Sequence, residues 1–375
     1  MSVYLHFPWC LRKCPYCDFA TSPLAKAEIP HAAYADAVLR ELAMRAESLR
    51  DARLYSVFFG GGTPSLWEPA ELGRVLRGVL GAFGSHAEDV EITVECNPSS
   101  LDEARAEALR SVGVNRLSVG VQSLDDAELQ FLGRLHDREL AFKALRAAQR
   151  SFERVSADLM FALPGQPAER FYGYLDTLLE MGLSHVSAYA LTIEAATPFG
   201  SQARKGLLRP APDESYARMF DGVAAKMEQA GFEHYEVSNY ARPGEASRHN
   251  QHYWRGGAYL GLGAAAVGCV DARRWRNHPD ATRYMDRAHT PKVEVFEEQL
   301  DATDQIREAL MLGLRTREGV DLSALAQRVG RDPREGRAKV LHRRLARGDI
   351  TLSEHVLRVP QARWLMLDGI VADLF

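Results

Sequence analysis

Short apolar runs alternate with longer amphipathic stretches through the first half of the chain. Val3–Phe7, Tyr55–Phe59, Glu91–Glu95, Arg116–Val121, Val155–Phe161 and Val186–Leu191 have the length and composition of buried strands. Between them the apolar positions fall three and four residues apart. Tyr34, Val38, Leu42 and Leu49 predict a helix opened by Pro30, and Leu72, Val75, Leu76, Val79 and Phe83 predict a second. Further helices are expected from about Leu101, in the stretch ending near Arg150, and over Ala168–Met181. Such alternation implies parallel βα units with right-handed crossovers, in an open sheet or a partial barrel.

The rhythm stops near Ala195. Pro198–Pro212 reads as a connection, Asp213–Ala230 as a helix and Tyr235–Tyr240 as one short strand. Arg248–Trp254 reads as a polar loop, followed by the glycine-rich Gly256–Gly268. Beyond Asp301, helices are expected at Ile306–Leu314, Leu322–Val329 and Arg334–Arg347. Strand-like Ile350–Leu352 and Val356–Val359 and a last helix to Phe375 follow, in the order of a winged-helix-like module. The expected division is a barrel over 1–200, an α+β extension over 201–300 and a small module over 301–375.

Polar signatures sit where the predicted strands end: a cysteine loop, Gly60-Gly61-Gly62-Thr63, Glu95-Cys96-Asn97-Pro98, Gln122-Ser123, and Asp158 within the fifth strand. Parallel sheets bind ligands at the carboxyl ends of their strands, so these signatures predict one shared site. Cys10, Cys14 and Cys17 form the pattern C-x3-C-x2-C, which lets three thiolates converge on one inorganic centre. A four-iron cluster normally takes four cysteines, so three leave an iron open. A Cys3His zinc site completed by His6 is an alternative reading, as are three thiols without metal. The glycines suit either a tight turn or close approach to a ligand, and they lack the lysine of a P-loop.

Composition narrows the class. The chain has 375 residues, 46% hydrophobic and 26% charged, enough for two or three globular domains. A net charge of −4 gives no general attraction to nucleic acid or membranes, and no nucleic-acid partner is expected. Arg343, Arg344 and Arg347 are interspersed with acids, which fits a solvated face or a cover for a partner. Five cysteines, three of them grouped, argue against a disulfide framework and for a reducing compartment. Met1 runs almost directly into a strand without a signal peptide, and the longest apolar run, Tyr259–Val270, is too short to span a bilayer. A cytoplasmic location is expected, with peripheral membrane contact left open. Cys96 and Cys269 read as small structural residues.

C-x3-C-x2-C with Tyr16 just before the third cysteine resembles the signature of radical S-adenosylmethionine (radical SAM) proteins. The resemblance implies an α/β fold, a (β/α)6 partial barrel. It also implies a [4Fe-4S] cluster on Cys10, Cys14 and Cys17, whose fourth iron takes the amino and carboxylate groups of S-adenosylmethionine. Gly120-Val121-Gln122-Ser123 and Leu132-Gly133-Arg134-Leu135-His136 are similar to the oxygen-independent coproporphyrinogen III oxidase-like group, over nearly the whole chain. By it, Tyr4, Tyr16, Gly61, Gly62, Thr63, Glu95, Gln122, Arg134 and Asp158 line the S-adenosylmethionine pocket.

Two features depart from the oxidases of that group. Phe19 stands where they carry a fourth cysteine, and the first cysteine, at position 10, leaves no room for their long amino-terminal extension. His249-Asn250-x-x-Tyr253-Trp254 instead resembles the HNxxYW motif of the HemW-type haem chaperones. That implies haem binding near His249, Asn250, His252, Tyr253 and Trp254 and delivery to an acceptor protein. A respiratory, membrane-bound acceptor and a homodimer are left open. Imidazole is a common haem ligand and aromatic rings cover a flat macrocycle. Read without the family, His249 and Asn250 brace a loop while Tyr253 and Trp254 fill a core. The alternatives are porphyrinogen decarboxylation, and radical methyltransferase or cyclopropanase chemistry.

Overall fold

The computed structural model describes residues 1–375, the side chain of Ser48 excepted. Six parallel strands form the first half: β1 (Ser2–Phe7), β2 (Arg53–Gly61), β3 (Ser85–Cys96), β4 (Arg116–Gln122), β5 (Arg154–Phe161) and β6 (His185–Ala190). Helices His31–Arg45, Pro69–Ala82, Glu103–Ser111, Arg138–Ser151 and Ala168–Glu180 make the crossovers. This is the (β/α)6 partial barrel of the sequence reading. Strand alternation decides which residues do which work. Val3, Leu5 and Phe7 are buried against the helices, where Phe7 stacks on Trp67 with ring centres 5.2 Å apart. Each such apolar side chain stabilises the fold by about 2 kcal/mol. Ser2, Tyr4 and His6 point to the opposite face, the barrel interior.

Residues 201–300 add strands at both edges of that sheet. At one edge, β7 (Glu233–Glu236) and β8 (Asn239–Ala241) follow β6, with β8 antiparallel to both β6 and β7. The single strand expected over Tyr235–Tyr240 is therefore two, because Glu236 Oε1 accepts the Ser238 N–H at 3.1 Å and holds a turn. At the other edge, β9 (Tyr259–Leu262) runs parallel to β1, and β10 (Val267–Val270), β11 (Arg273–Asn277) and β12 (Glu294–Gln299) follow antiparallel. The twelve strands lie in the order β12-β11-β10-β9-β1-β2-β3-β4-β5-β6-β8-β7. The glycine-rich stretch hides β9 and β10 because its glycines serve close packing: a Cβ on Gly261 would lie 2.1 Å from the Val267 carbonyl oxygen.

Three other expectations are corrected. The connection Pro198–Pro212 contains a helix, Pro198–Arg204, capped by Thr197. Arg248–Trp254 is a helix rather than a loop, with Ser247 Oγ accepting the Asn250 N–H at 3.3 Å. Seven residues are too few to display helical periodicity. The helix expected from Arg334 begins at Ala338, because Gly336, at φ +77°, holds the preceding segment in turns.

The carboxyl-terminal module has helices Ala302–Gly313, Leu322–Val329 and Ala338–Ala346. Strands β13 (Val320–Asp321), β14 (Thr351–Ser353) and β15 (Val356–Arg358) pair antiparallel in the order β13-β15-β14. Arg343 and Arg344 both contact the Asp373 carboxylate at 2.6 Å, and Arg344 also contacts Asp349 at 2.8 Å. Among the described residues no helix is long and apolar enough to cross a membrane.

Candidate functional site

At the carboxyl ends of the parallel strands lies a cavity of about 340 Å³. It is lined by Cys10, Cys14, Cys17, Tyr16, Gly61, Gly62, Thr63, Glu95, Gln122, Arg134 and Asp158, which the sequence had pointed to. Tyr4 is not brought to it. The Tyr4 ring lies one layer below, its hydroxyl 3.1 Å from His6 Nδ1 and its face against Phe58. Tyr189, at the end of β6, also lines the cavity. It was overlooked although it is a polar residue at a strand end like the others.

The strand-end glycines hold the cysteine loop to the barrel. Gly62 N–H donates to the Phe7 carbonyl at 2.7 Å and Thr63 N–H to the Trp9 carbonyl at 2.9 Å. A Cβ on Gly62 would lie 2.5 Å from the Trp9 oxygen, so only glycine allows this approach. Thr63 Oγ1 donates to Cys10 Sγ at 3.4 Å. On the far side, Arg12 Nη2 donates to the Gly133 and Arg134 carbonyls at 2.6 and 2.7 Å. Burial raises the Cys10 and Cys17 thiols, so binding of a metal centre must displace their protons.

The zinc reading fails on geometry. His6 Nε2 lies 3.0 Å from the Ala20 carbonyl and its other nitrogen faces Tyr4, so both are occupied. No three His, Cys, Asp or Glu residues among those described are placed to hold a single ion. The three thiols line one cavity, and iron–sulfur clusters take cysteine thiolates as ligands.

The remaining wall is unusually charged for a cavity. Burial and the neighbouring Asp158 carboxylate push Glu95 up to about 8, against a 3.2 Å bond from the Gly61 N–H. Asp158 is raised by burial and accepts from Ser118 and Ser156. Arg134 donates to the Gly120 carbonyl at 2.8 Å and reaches Cys14 Sγ and the Tyr16 hydroxyl. It has no carboxylate partner among the described residues, and its buried Nε has no hydrogen-bond partner among them. Gln122 sits at φ +68° beside an irregularity in the β4–β5 pairing. That left-handed backbone costs about 1–2 kcal/mol. The set offers an unpaired guanidinium for a carboxylate, acids for an ammonium group, and acid and amide groups for hydroxyls. It fits S-adenosylmethionine beside a cluster.

The His249 motif lies at the other end of the barrel. Glu91, midway along β3, accepts the N–H groups of Arg248 and His249 at 3.1 and 3.0 Å and pairs with Arg154 at 2.7 Å. Burial alone would raise Glu91, but the Arg116 and Arg154 guanidiniums hold it below the usual range. His249 enters the barrel interior, with Nδ1 2.8 Å from Ser56 Oγ and its ring 4.8 Å from that of Phe58. Burial pushes it down to about 4, so it stays neutral. His252 Nε2 is 2.9 Å from the Ala258 carbonyl. Tyr253 packs on Tyr259, and Trp254 carries the Arg315 guanidinium 5.1 Å from its ring centre. The Asn250 N–H completes the Ser247 cap.

Comparison with known proteins places the chain in a family. Residues 4–178 match the radical SAM superfamily and residues 300–365 the HemN C-terminal domain. The bovine mitochondrial "Radical S-adenosyl methionine domain-containing protein 1" is 40% identical over 333 residues, 86% of this chain and 70% of that one. The heme chaperone HemW of Lactococcus lactis is 35% identical over 85% of this chain and 82% of its own. That of Bacillus subtilis is 34% identical over 88% and 87%. The solved Escherichia coli coproporphyrinogen III oxidase HemN superposes with a TM-score of 0.83 at 22% identity, over 100% of this chain and 89% of that one.

Proposed function

The chain belongs to the HemW-type branch of the radical SAM superfamily, and from that premise we propose that it is a haem chaperone, binding haem and passing it to an acceptor protein. In this reading Cys10, Cys14 and Cys17 hold the [4Fe-4S] cluster. Arg134, Glu95, Gln122 and Asp158 orient S-adenosylmethionine against it, while Gly61, Gly62 and Thr63 hold the loop in place. When bound, the pair supplies one-electron chemistry. The chain's own part is to seat the ligand and to keep the thiol loop fixed.

The observation that carries the chaperone over the oxidase is the wall at Phe19. This residue lines the cavity at 59% exposure, where an oxidase would offer a further thiolate. The likeness to the solved oxidase supports the fold alone. The barrel, extension and module divided near 200 and 300 remain the proposed working units, with the HNxxYW helix in the second.

Haem-loaded protein mixed with haem-depleted respiratory membranes is expected to transfer haem faster than haem-loaded albumin does. Transfer no faster than from albumin would defeat the reading. Anaerobic turnover of coproporphyrinogen III by cluster-loaded protein would replace it with the oxidase.

A further inference from the structure

A second cavity, of about 660 Å³, lies on the far side of the HNxxYW helix from the barrel, between β9, β10 and helix Ala302–Gly313. It is nearly twice the size of the cluster cavity and within the range of cofactor sites. Nothing described above gives it a role. Its wall contains Tyr253, Tyr259, Cys269, Arg274, Met311 and Arg328. These come from the motif, the sheet extension and the carboxyl-terminal module.

We propose that this cavity is where haem is carried, with Cys269 as the sulfur ligand to iron. The inference rests on the haem-chaperone reading and places its site. Four features support it. Tyr253 and Tyr259 form an aromatic pair with centres 4.5 Å apart, a surface for the face of a macrocycle. Cys269 pairs directly opposite Tyr259 in the sheet and forms no disulfide; its thiol lines the same wall, held there by a hydrogen bond from the Arg274 side chain. Arg328 has no ion pair among the described residues, and its one hydrogen bond among them is to the Gly256 carbonyl at 3.4 Å. It is placed for a propionate, whereas Arg274 is already engaged by Glu298 and Glu308. Met311, 44% exposed, supplies an apolar edge.

The assignment also explains the motif. His249 is consumed inside the barrel by Ser56 and Phe58 and acts as the anchor. Tyr253, one turn further along the helix, is the residue that reaches the ligand. On binding ferric haem the Cys269 thiol gives its proton to solvent and its sulfur joins the iron; no redox change is required.

The test is an anaerobic titration of full-length, cluster-reconstituted protein with ferric protoporphyrin IX, followed by visible absorbance. The wild type is run beside Cys269→Ser, Cys269→His and Arg328→Glu. Wild type should saturate with a thiolate-type spectrum. Cys269→Ser should lose that spectrum and bind at least tenfold more weakly, and Cys269→His should change it to an imidazole type. Arg328→Glu, on the surface, should weaken binding several-fold with the spectrum intact. Saturable wild-type binding with spectrum and affinity unchanged in all three variants would overturn this site while leaving the chaperone reading standing. No saturable binding by the wild type would remove both.

Discussion

Glu95 makes the cluster-free chain less stable in alkali than it would otherwise be. Its proton affinity in the fold is raised from 4.5 to about 8 by burial and by Asp158. The folded state therefore holds a proton on Glu95 between those values that the unfolded chain has released. Stability falls as pH rises wherever the folded state binds more protons. Between about pH 6 and about pH 9 the integrated loss from this one group is roughly 2.7 kcal/mol, at about 1.4 kcal/mol per tenfold change in proton affinity. Because Glu95 is only partly buried, solvent screening brings this to about 2 kcal/mol. Glu95→Gln keeps the acceptor for the Gly61 N–H and cannot ionise, so it should escape the loss. Urea unfolding of cluster-free wild type and variant at both pH values measures the difference, because the thiols titrate alike in both. The variant should gain about 2 kcal/mol on the wild type from the lower pH to the higher. Parallel loss in the two proteins would refute the reasoning and place Glu95 in contact with bulk water.

Other substitutions separate seating from folding. His249→Ala, which leaves a hole beside Phe58 and leaves the Ser56 hydroxyl with Ser2 alone as partner, should destabilise the chain by about 2–4 kcal/mol in thermal or urea unfolding. Because burial depresses His249 to about 4, the unfolded chain binds its proton first. Stability should fall as pH drops from about 6.5 toward 4, and His249→Gln should lessen that slope in acid unfolding curves. Arg134→Lys keeps the charge and loses the fork, so S-adenosylmethionine affinity by equilibrium dialysis should fall about tenfold. Gly62→Ala, whose Cβ would meet the Trp9 oxygen at 2.5 Å, should displace the cysteine loop and reduce iron bound per chain by more than half. Gly173→Ala, with open space around it, should reconstitute normally.

The barrel was legible because each of its strands is a short apolar run and each crossover helix has a wide apolar face. The carboxyl rim was legible because polar residues at strand ends interrupt that pattern. Tyr4 shows the limit of that pattern: position in a strand gives the face, but not how high on the barrel wall a side chain sits. The sheet extension was hidden because Gly261 and Gly268 pack tightly against Val267 and Trp275 and carry no side chain to register as strand. The helix holding His249 was hidden by its length and by its polar composition, with His249 its one buried residue. Its polarity is matched by Ser56 and Glu91, contributed from more than a hundred residues away, with Arg154 pairing Glu91 in turn. Nothing local announces that pairing.

The central claim is that this radical SAM chain carries haem. Cluster-reconstituted protein titrated anaerobically with haem, with bound and free haem separated by rapid gel filtration, tests it most directly. The account predicts saturation near one haem per chain, retained when Cys10, Cys14 and Cys17 are replaced by alanine and the cluster is absent. Haem that elutes free at every ratio, or that binds in proportion to concentration without saturating, would contradict it.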